Sequence, residues 1–275
     1  MLRNPAHVGA ELRRLRREAG LPMARVAERA GWAEGTQSRL ETGVTPIKPG
    51  QVAVLADILR LSPVTRMRLD RALGVERPAD PWWVKYGEVL SRNYEELILI
   101  EAQATSMDVA STIIPGPMQA QGYARATLLQ SPFVPDPDDA EMLLEVRLQR
   151  AEIITERGVP VSATLPEAVL SAGFCGRIAL QEQLQYLLDL SRLENVCLRI
   201  LPSDAEVHPF LGAVTVLDLP ALDAPVAYAE WESGSAMIRD VRTVRRHRRN
   251  LDYQRAAALS EDQSQRLMQS RLEAL

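Results

Sequence analysis

The stretch VAERAGWAEGTQSRLETG, residues 26–43, contains the clearest structural pattern in the first part of this 275-residue chain. Its pattern predicts two short helices joined at Gly31, because glycine readily adopts the positive φ that a tight turn after a helix requires. Ala27 is small enough for the two helices to approach each other, and Leu40 anchors the second helix in an apolar core. The stretch therefore predicts a compact pair of helices with a glycine turn between them.

Apolar residues at helical spacing predict three further helices around this pair. The five predicted helices cover residues 8–19, 22–30, 34–42, 49–59 and 62–73. Ser62 and Pro63 are typical of a helix N-cap and the residue that follows it. Five short helices with a glycine between the second and the third are the plan of a repressor-type helix-turn-helix domain, which we expect over residues 1–75.

The same stretch resembles the XRE family of helix-turn-helix transcriptional regulators. The residues that match the pattern of this family are Ala27, Gly31, Ser38, Arg39, Leu40, Glu41 and Gly43. The resemblance implies that the helix beginning at Glu34 enters the major groove of double-stranded DNA. The positions that would face DNA hold Glu34, Gly35, Thr36, Ser38 and Arg39.

Arg39 is the best candidate among these residues for a bidentate contact to guanine. Thr36, Ser38 and Thr42 suit contacts to a thymine methyl group or to phosphate. Several arginines outside this helix could bind phosphate, although a solvated surface position explains each of them equally well. They are Arg13, Arg14, Arg17 and Arg25.

Three residues depart from the family pattern. Gln37 stands where the family usually has an inward-packed valine or isoleucine, and Ala33 replaces the usual serine N-cap. A missing cap costs about 1 kcal/mol, and a partly buried amide needs hydrogen-bond partners. Glu34 could accept a hydrogen bond from cytosine N4, but its charge repels phosphate. We therefore expect modest DNA affinity or a dependence on dimerisation.

The net charge of −4 is unevenly distributed along the chain. Residues 1–80, called here the head, are basic, and residues 81–275, called here the body, are acidic. Residues 1–80 contain 14 Lys and Arg against 9 Asp and Glu, a net charge of +5, so residues 81–275 contain 18 against 27, a net charge of −9. Such an asymmetry is typical of a nucleic-acid-binding head on a body of another kind.

The composition and the motifs exclude several classes of protein. No apolar run approaches the roughly 20 residues that a membrane span needs, and residues 1–20 lack the apolar stretch of a signal peptide. Two cysteines and three scattered histidines give neither a disulfide framework nor a metal-ligand spacing. There is also no glycine-rich phosphate loop and no nucleophile elbow. We expect a cytoplasmic protein without a membrane partner, enzymatic activity, catalytic residues, cofactor or metal.

The proline-rich segment VERPADP, residues 75–81, is too polar to continue a helix. We place a linker at residues 76–82 and a second domain at residues 83–275. The helices predicted for this domain cover residues 86–111, 119–129, 136–157, 176–191, 241–258 and 262–272. The predicted strands cover residues 161–165, 196–201, 213–219 and 226–231, with 237–239 as a candidate edge strand. These elements predict an α+β domain in which helices flank a mainly antiparallel sheet.

Short motifs along residues 83–272 resemble the C-terminal domain of unknown function in the WhiJ-like group of actinobacterial XRE regulators. They are EAQA at 101–104, IPG at 114–116, Gln119, YARA at 123–126, RLQR at 147–150, EAVL at 167–170, QL at 183–184, ILP at 200–202 and YAE at 228–230. Pro117, Met118 and Ala120 depart from the leucine, leucine and threonine common in that group. The resemblance implies a regulator controlled by a small partner protein, like the pairs of this group that behave as toxin and antitoxin.

Two groups of charged residues in the body each allow two interpretations. Glu101, Glu167 and Glu230 are acids in apolar surroundings, so they form either a pocket or the salt-bridged ends of helices and strands. The penultimate helix carries a dense group of arginines that is either a second phosphate-binding surface, or a solvated face or dock for an acidic partner. They are Arg242, Arg245, Arg246, Arg248 and Arg249.

These patterns favour a transcriptional regulator, expected to be a repressor, that reads double-stranded DNA as a homodimer. We expect dimerisation through the C-terminal domain, because one head of this size buries too little DNA surface for tight specific binding. Two alternatives stay open: an antitoxin-like interaction module with autoregulatory DNA binding, and a regulator that senses a small molecule between the sheet and the helices.

Overall fold

The computed structural model describes residues 5–61, 63–75, 81–132, 134, 136–207, 212–219, 225–231 and 233–275. The chain divides into two compact units, Met1–Glu88 and Val89–Leu275, called here the N-terminal and the C-terminal unit. The predicted linker at residues 76–82 lies mostly outside the described residues, and so does the predicted N-cap Ser62. No helix in the described ranges is long and apolar enough to cross a membrane.

In its described residues, the N-terminal unit contains five α-helices and one 3₁₀ helix. They are α1 (Pro5–Glu18), α2 (Met23–Ala30), α3 (Glu34–Glu41), α4 (Pro49–Ile58), α5 (Pro63–Ala72) and the 3₁₀ helix Trp82–Tyr86. The five α-helices occupy the predicted places, whereas the 3₁₀ helix falls where a longer α-helix was expected to begin. Gly31 ends α2 with φ +73°, which confirms the predicted turn, and Trp32 N–H then donates to Ala27 O at 3.1 Å.

Apolar side chains from the first five helices meet in one core. Its members are Val8, Leu12, Leu15, Val26, Leu40, Ile47, Val52, Leu55, Leu59 and Leu69. Ala27 is also buried, at the contact between α2 and α3. Leu40 lies within this core, as the sequence predicts, so α3 is held by its inner face.

The described part of the C-terminal unit contains a six-stranded sheet and six α-helices. The elements in chain order are α6 (Arg92–Glu101), β1 (Ser106–Ser111), α7 (Gln121–Leu129), α8 (Pro137–Thr155), β2 (Val161–Pro166), α9 (Arg177–Leu190), β3 (Val196–Leu201), β4 (Ala213–Asp218), β5 (Val226–Trp231), β6 (Gly234–Ile238), α10 (Val241–Ala257) and α11 (Glu261–Glu273). Three short 3₁₀ helices that the sequence did not predict lie at Gly116–Met118, Glu167–Ser171 and Gly173–Cys175.

The prediction of one long helix over residues 86–111 is wrong. Ser91 caps α6, which ends at Glu101, and residues Ser106–Ser111 form the strand β1. The segment SMDVAS has only one β-branched aliphatic residue, Val109, so its own propensity for a strand is weak. Pairing with β2 on one side and β4 on the other decides its conformation, and this pairing is tertiary information that the local pattern lacks.

The sheet is mixed, not mainly antiparallel as predicted. Its strand order is β3-β2-β1-β4-β5-β6, in which the β1–β2 and β2–β3 pairs are parallel and the other three pairs are antiparallel. Parallel neighbours require long crossover connections, which α7, α8 and α9 provide here. Because β1 was taken for a helix, the first of these crossovers could not be recognised from the sequence.

The two faces of the sheet are covered by different helices. On one face, alternate residues such as Met107, Val109 and Tyr228 belong to the large core, which also contains residues of α6 to α9. The opposite face packs on α10, where Val244 and Leu251 join a smaller cluster of strand residues. The sheet is therefore a central layer, and its first face carries most of the C-terminal core.

Candidate nucleic-acid interface

Helix α3 has an inner face and an outer face. Gln37, Leu40 and Glu41 are buried. Four residues that the sequence assigns to DNA lie at positions 35, 38, 39 and 42, whose i, i+3, i+4, i+7 spacing places them along the outer side of the helix. Of the assigned residues on and after α3, Glu34, Gly35, Arg39 and Thr42 are exposed, whereas Thr36 and Ser38 are half-buried. The fold thus places Gly35, Ser38, Arg39 and Thr42 along one side of the helix, with Glu34 and Thr36 outside this stripe.

The beginning of α3 lacks a side-chain cap, as the sequence predicts. Ala33 is the N-cap residue and accepts no side-chain hydrogen bond there. Glu34 occupies the first turn, where its negative charge interacts favourably with the positive end of the helix dipole. Glu34 therefore contributes to helix stability, independently of any contact with a base.

Gln37 lies at the centre of a buried hydrogen-bond network. Its Oε1 accepts from Trp32 Nε1 at 3.0 Å, and its Nε2 donates to Glu41 Oε1 at 2.8 Å. Arg16 on α1 donates to both carboxylate oxygens of Glu41, from Nε at 2.6 Å and from Nη2 at 2.9 Å. The amide therefore finds the partners that an apolar residue at this position would not need.

The network fixes the ionisation of Glu41. Burial raises the pKa of this carboxyl group, but the hydrogen bonds from Arg16 and Gln37 outweigh burial and hold the pKa below its ordinary value. The hydrogen bond to Glu41 raises the pKa of Arg16 in turn. Both groups are charged at neutral pH, so a buried ion pair ties α1 to the inner face of α3.

Gly9 brings α1 close to the backbone of α3. A Cβ atom at this position would lie 2.3 Å from Leu40 O and 3.0 Å from Glu41 O, which is closer than real contacts allow. The sequence analysis missed this residue, and the only available signal was a glycine inside an otherwise good helix pattern. Gly9 therefore sets how closely α3 is seated on α1.

Replacing Gly9 by alanine is expected to destabilise the N-terminal unit by about 1–3 kcal/mol, the usual cost of overpacking. Alanine for glycine inside a helix ordinarily stabilises by roughly 0.5–1 kcal/mol, so the contact with α3 reverses the sign. Chemical denaturation measures the effect. Gly50→Ala on α4 is the matched control, because a Cβ there meets nothing within 4 Å. A Gly9→Ala protein as stable as the Gly50→Ala protein would contradict the proposed close seating.

The arginines assigned to DNA differ in how much of their charge is available. The guanidinium groups of Arg39 and Arg17 have no hydrogen-bond or ion-pair partner among the described residues. Arg13 is exposed on α1, whereas Arg25 pairs with Glu28 at 2.7 Å on the surface of α2. Arg14 is bound by Glu11 and Glu18, which explains why its guanidinium is the least available of this group.

The arginine cluster of α10 has two parts. Arg248 pairs with Asp218 of β4 at 2.8 Å, and Arg255, further along the helix, pairs with Asp108 of β1 at 2.5 Å. These pairs attach α10 to the sheet. The other members of the predicted cluster are exposed, and they are Arg242, Arg245, Arg246 and Arg249.

The N-terminal unit contains a helix-turn-helix domain, a class of domain that binds DNA. Residues 7–69 match a protein-family profile described as a helix-turn-helix domain. Residues 94–270 match the profile described as a domain of unknown function (DUF5753), and because this match spans more than half of the chain, the protein belongs to that family. No curated protein and no solved structure matches the chain significantly.

Proposed function

We propose that this protein is a sequence-specific transcriptional regulator of the XRE type that reads double-stranded DNA with α3. The observation that carries the proposal is the division of α3 into two faces within a helix-turn-helix domain. Its inner face is fixed by the ion pair between Arg16 and Glu41, while its outer face presents the Arg39 guanidinium, which has no intramolecular partner among the described residues. Such rigid support is what precise readout of base edges requires.

Each outer residue of α3 has a specific chemical role in this proposal. Arg39 donates two hydrogen bonds to guanine O6 and N7, and Gly35 leaves room for close approach of the groove. The hydroxyl group of Thr42 donates to Ser38 O at 2.8 Å, so its methyl group and oxygen lone pairs are what it offers to DNA. Arg13, Arg17 and Arg25 bind phosphate and position the helix.

Glu34 limits the affinity in this proposal and adds specificity. Its exposed carboxylate accepts a hydrogen bond from cytosine N4, and it repels the phosphates of every other register. A single helix-turn-helix domain then binds weakly, which supports the use of two copies on a two-fold operator.

We assign dimerisation, or the binding of a small partner protein, to the C-terminal unit. The supporting observation is a set of exposed apolar side chains on adjoining elements, namely Leu129 of α7, Phe174 of the 3₁₀ helix Gly173–Cys175, and Ile178 of α9, which is 75% exposed. Apolar groups gathered in this way are typical of protein contact sites. The same surface fits the alternative of an antitoxin-like module whose DNA binding regulates its own synthesis, and repression follows from operator occupancy in both cases.

The proposal predicts that the full-length protein enriches a defined sequence from a random pool of duplexes. We expect a palindrome whose half-sites lie one helical turn apart, about 34–36 Å from centre to centre, because two-fold protein symmetry imposes two-fold DNA symmetry. Sequencing of the bound pool measures this. A single half-site would exclude the dimer but keep the reader, and no enriched sequence would contradict the proposed function.

A further inference from the structure

The C-terminal unit contains a cavity of about 610 Å³ between the sheet and the helices α6, α7 and α8. Met107 and Val109 of β1 form part of its floor, and Leu97, Leu128 and Leu143 contribute to its walls. Cavities of roughly 300–1,000 Å³ with a mostly apolar lining are typical of sites for small organic molecules. All the lining residues that the structure describes belong to the C-terminal unit.

Several of the motifs noted in the sequence meet at this cavity. Glu101, the segment 114–119, Arg147, Arg150 and Glu230 all line it, although they lie far apart along the chain. None of these residues has a part in the DNA-binding proposal. The DNA-binding proposal therefore does not explain why these residues meet at one cavity.

One of the two arginines at the cavity is fully used inside the protein. Arg150 donates to Glu101 from Nε at 2.8 Å and from Nη2 at 2.6 Å, and Nη1 donates to Tyr94 Oη at 2.5 Å. The ion pair is buried on both sides. Arg150 therefore has a structural role and leaves little charge for a ligand.

The other arginine lies one turn earlier on α8 and is not neutralised. Arg147 is half-buried, and Nη1 donates to Gln119 Oε1 at 2.7 Å. Among the residues that the structure describes, Arg147 pairs with no carboxylate. A cation partly withdrawn from water is stabilised by an anion that takes the place of the missing counter-charge.

The loop before α7 holds Arg147 in place. Gln119 Nε2 donates to Ile114 O at 2.7 Å, which turns the amide oxygen toward Arg147. Gly116 lies beside both arginines, since a Cβ there would make an ordinary contact of 3.5 Å with Arg147 Cγ and a tight one of 3.3 Å with Arg150 Nη1. The guanidinium is therefore oriented before any ligand arrives, which lowers the entropic cost of binding.

We propose that this cavity binds a small monocarboxylate with a hydrocarbon body, its carboxylate on Arg147 and its apolar part on the β1 floor. Glu230 also lines the cavity, near the end of β5. Because this residue is exposed, water screens its negative charge from a bound carboxylate. This proposal does not rest on the DNA-binding proposal, so a result that refutes one of them leaves the other unaffected.

Isothermal titration calorimetry of the full-length protein with three probes of equal chain length tests the proposal. The probes are octanoate, octanol and octylamine, so that only the head group differs. We expect octanoate to bind at one saturable site about tenfold or more tightly than the other two, since a hydrogen bond to a charged group has that effect. Arg147→Met removes this preference, and Arg147→Lys keeps most of it. The matched control is Arg125→Met, which removes an exposed arginine outside the cavity and leaves octanoate binding unchanged.

Three results would overturn the proposal. They are the absence of saturable octanoate binding, octanoate binding that is unchanged in Arg147→Met, and a preference for octylamine, which would assign the cavity to cations through Glu230. The comparison of the three probes on the native protein requires no variant. It therefore tests the proposed preference for a carboxylate even if Arg147→Met does not fold.

Discussion

Replacing Glu41 by alanine is expected to lower the free energy of unfolding of the N-terminal unit by about 3–5 kcal/mol. The substitution leaves the guanidinium of Arg16, which is only 8% exposed, without its bidentate partner in the interior. It also removes the acceptor of Gln37 Nε2. Denaturant titration, followed through hydrogen exchange of the α1 and α3 amides, measures the loss in this unit alone.

The control for this prediction is Glu28→Ala on α2. Glu28 forms an ion pair with Arg25, but both side chains are more than half exposed, so the pair contributes about 0–1 kcal/mol. A Glu41→Ala protein that loses no more stability than Glu28→Ala would show that the buried pair does not hold α3. Because the folded pKa of Glu41 is depressed, its contribution is present above the ordinary pKa of a glutamate and is lost as the pH falls through the folded value.

Replacing Arg150 by methionine is expected to destabilise the C-terminal unit by a similar amount, about 3–5 kcal/mol. Glu101, which is 3% exposed, then keeps a buried charge without a counter-charge, and Tyr94 Oη loses its donor. The pKa of Arg150 lies above its ordinary value: burial opposes this shift, and the attraction of Glu101 outweighs burial. Thermal unfolding of the full-length protein, with hydrogen exchange of α6 and α8, measures the effect.

Two further variants separate the buried charge from loss of packing at Arg150. In Arg150→Met with Glu101→Leu, both charges are removed, and most of the lost stability is expected to return. Arg125→Met breaks an exposed pair with Glu141 and is expected to cost about 1 kcal/mol or less. If the double variant is as unstable as Arg150→Met alone, the ion pair is not the cause.

Much of the N-terminal unit could be predicted from the sequence because its signals are local. All within 18 residues, the apolar anchor Leu40 follows from helical spacing and the turn at Gly31 from the freedom of glycine to adopt positive φ, while the DNA-facing positions of α3 follow from the resemblance to the XRE family. The network around Gln37 could not be predicted. Its direct partners Trp32 and Glu41 are close in sequence, but the network also depends on Arg16, which donates to Glu41 from 25 residues earlier in the chain. Gln37, which departs from the family pattern, thus belongs to a polar network that includes a residue distant in sequence.

The C-terminal unit was harder to predict because pairing of distant segments decides it. The strand β1 owes its conformation to β2 and β4, and its misassignment also concealed the parallel part of the sheet. The sequence left two interpretations open for Glu101, Glu167 and Glu230, namely a pocket or salt bridges. The structure shows pocket-lining residues and salt-bridged residues among these three acids. Glu101 is salt-bridged within the cavity lining, Glu230 lines the cavity, and Glu167 pairs with Arg271 at 2.8 Å.

The most direct test of DNA reading by α3 is a fluorescence anisotropy titration of the selected duplex at about 50 and 200 mM salt. We compare the native protein with Arg39→Ala and with Arg192→Ala, which removes the same charge from an exposed site in the C-terminal unit. We predict binding that weakens steeply with salt, a loss of about tenfold or more in Arg39→Ala, and native affinity in Arg192→Ala. Equal affinities of the native and Arg39→Ala proteins for the selected duplex would contradict the account.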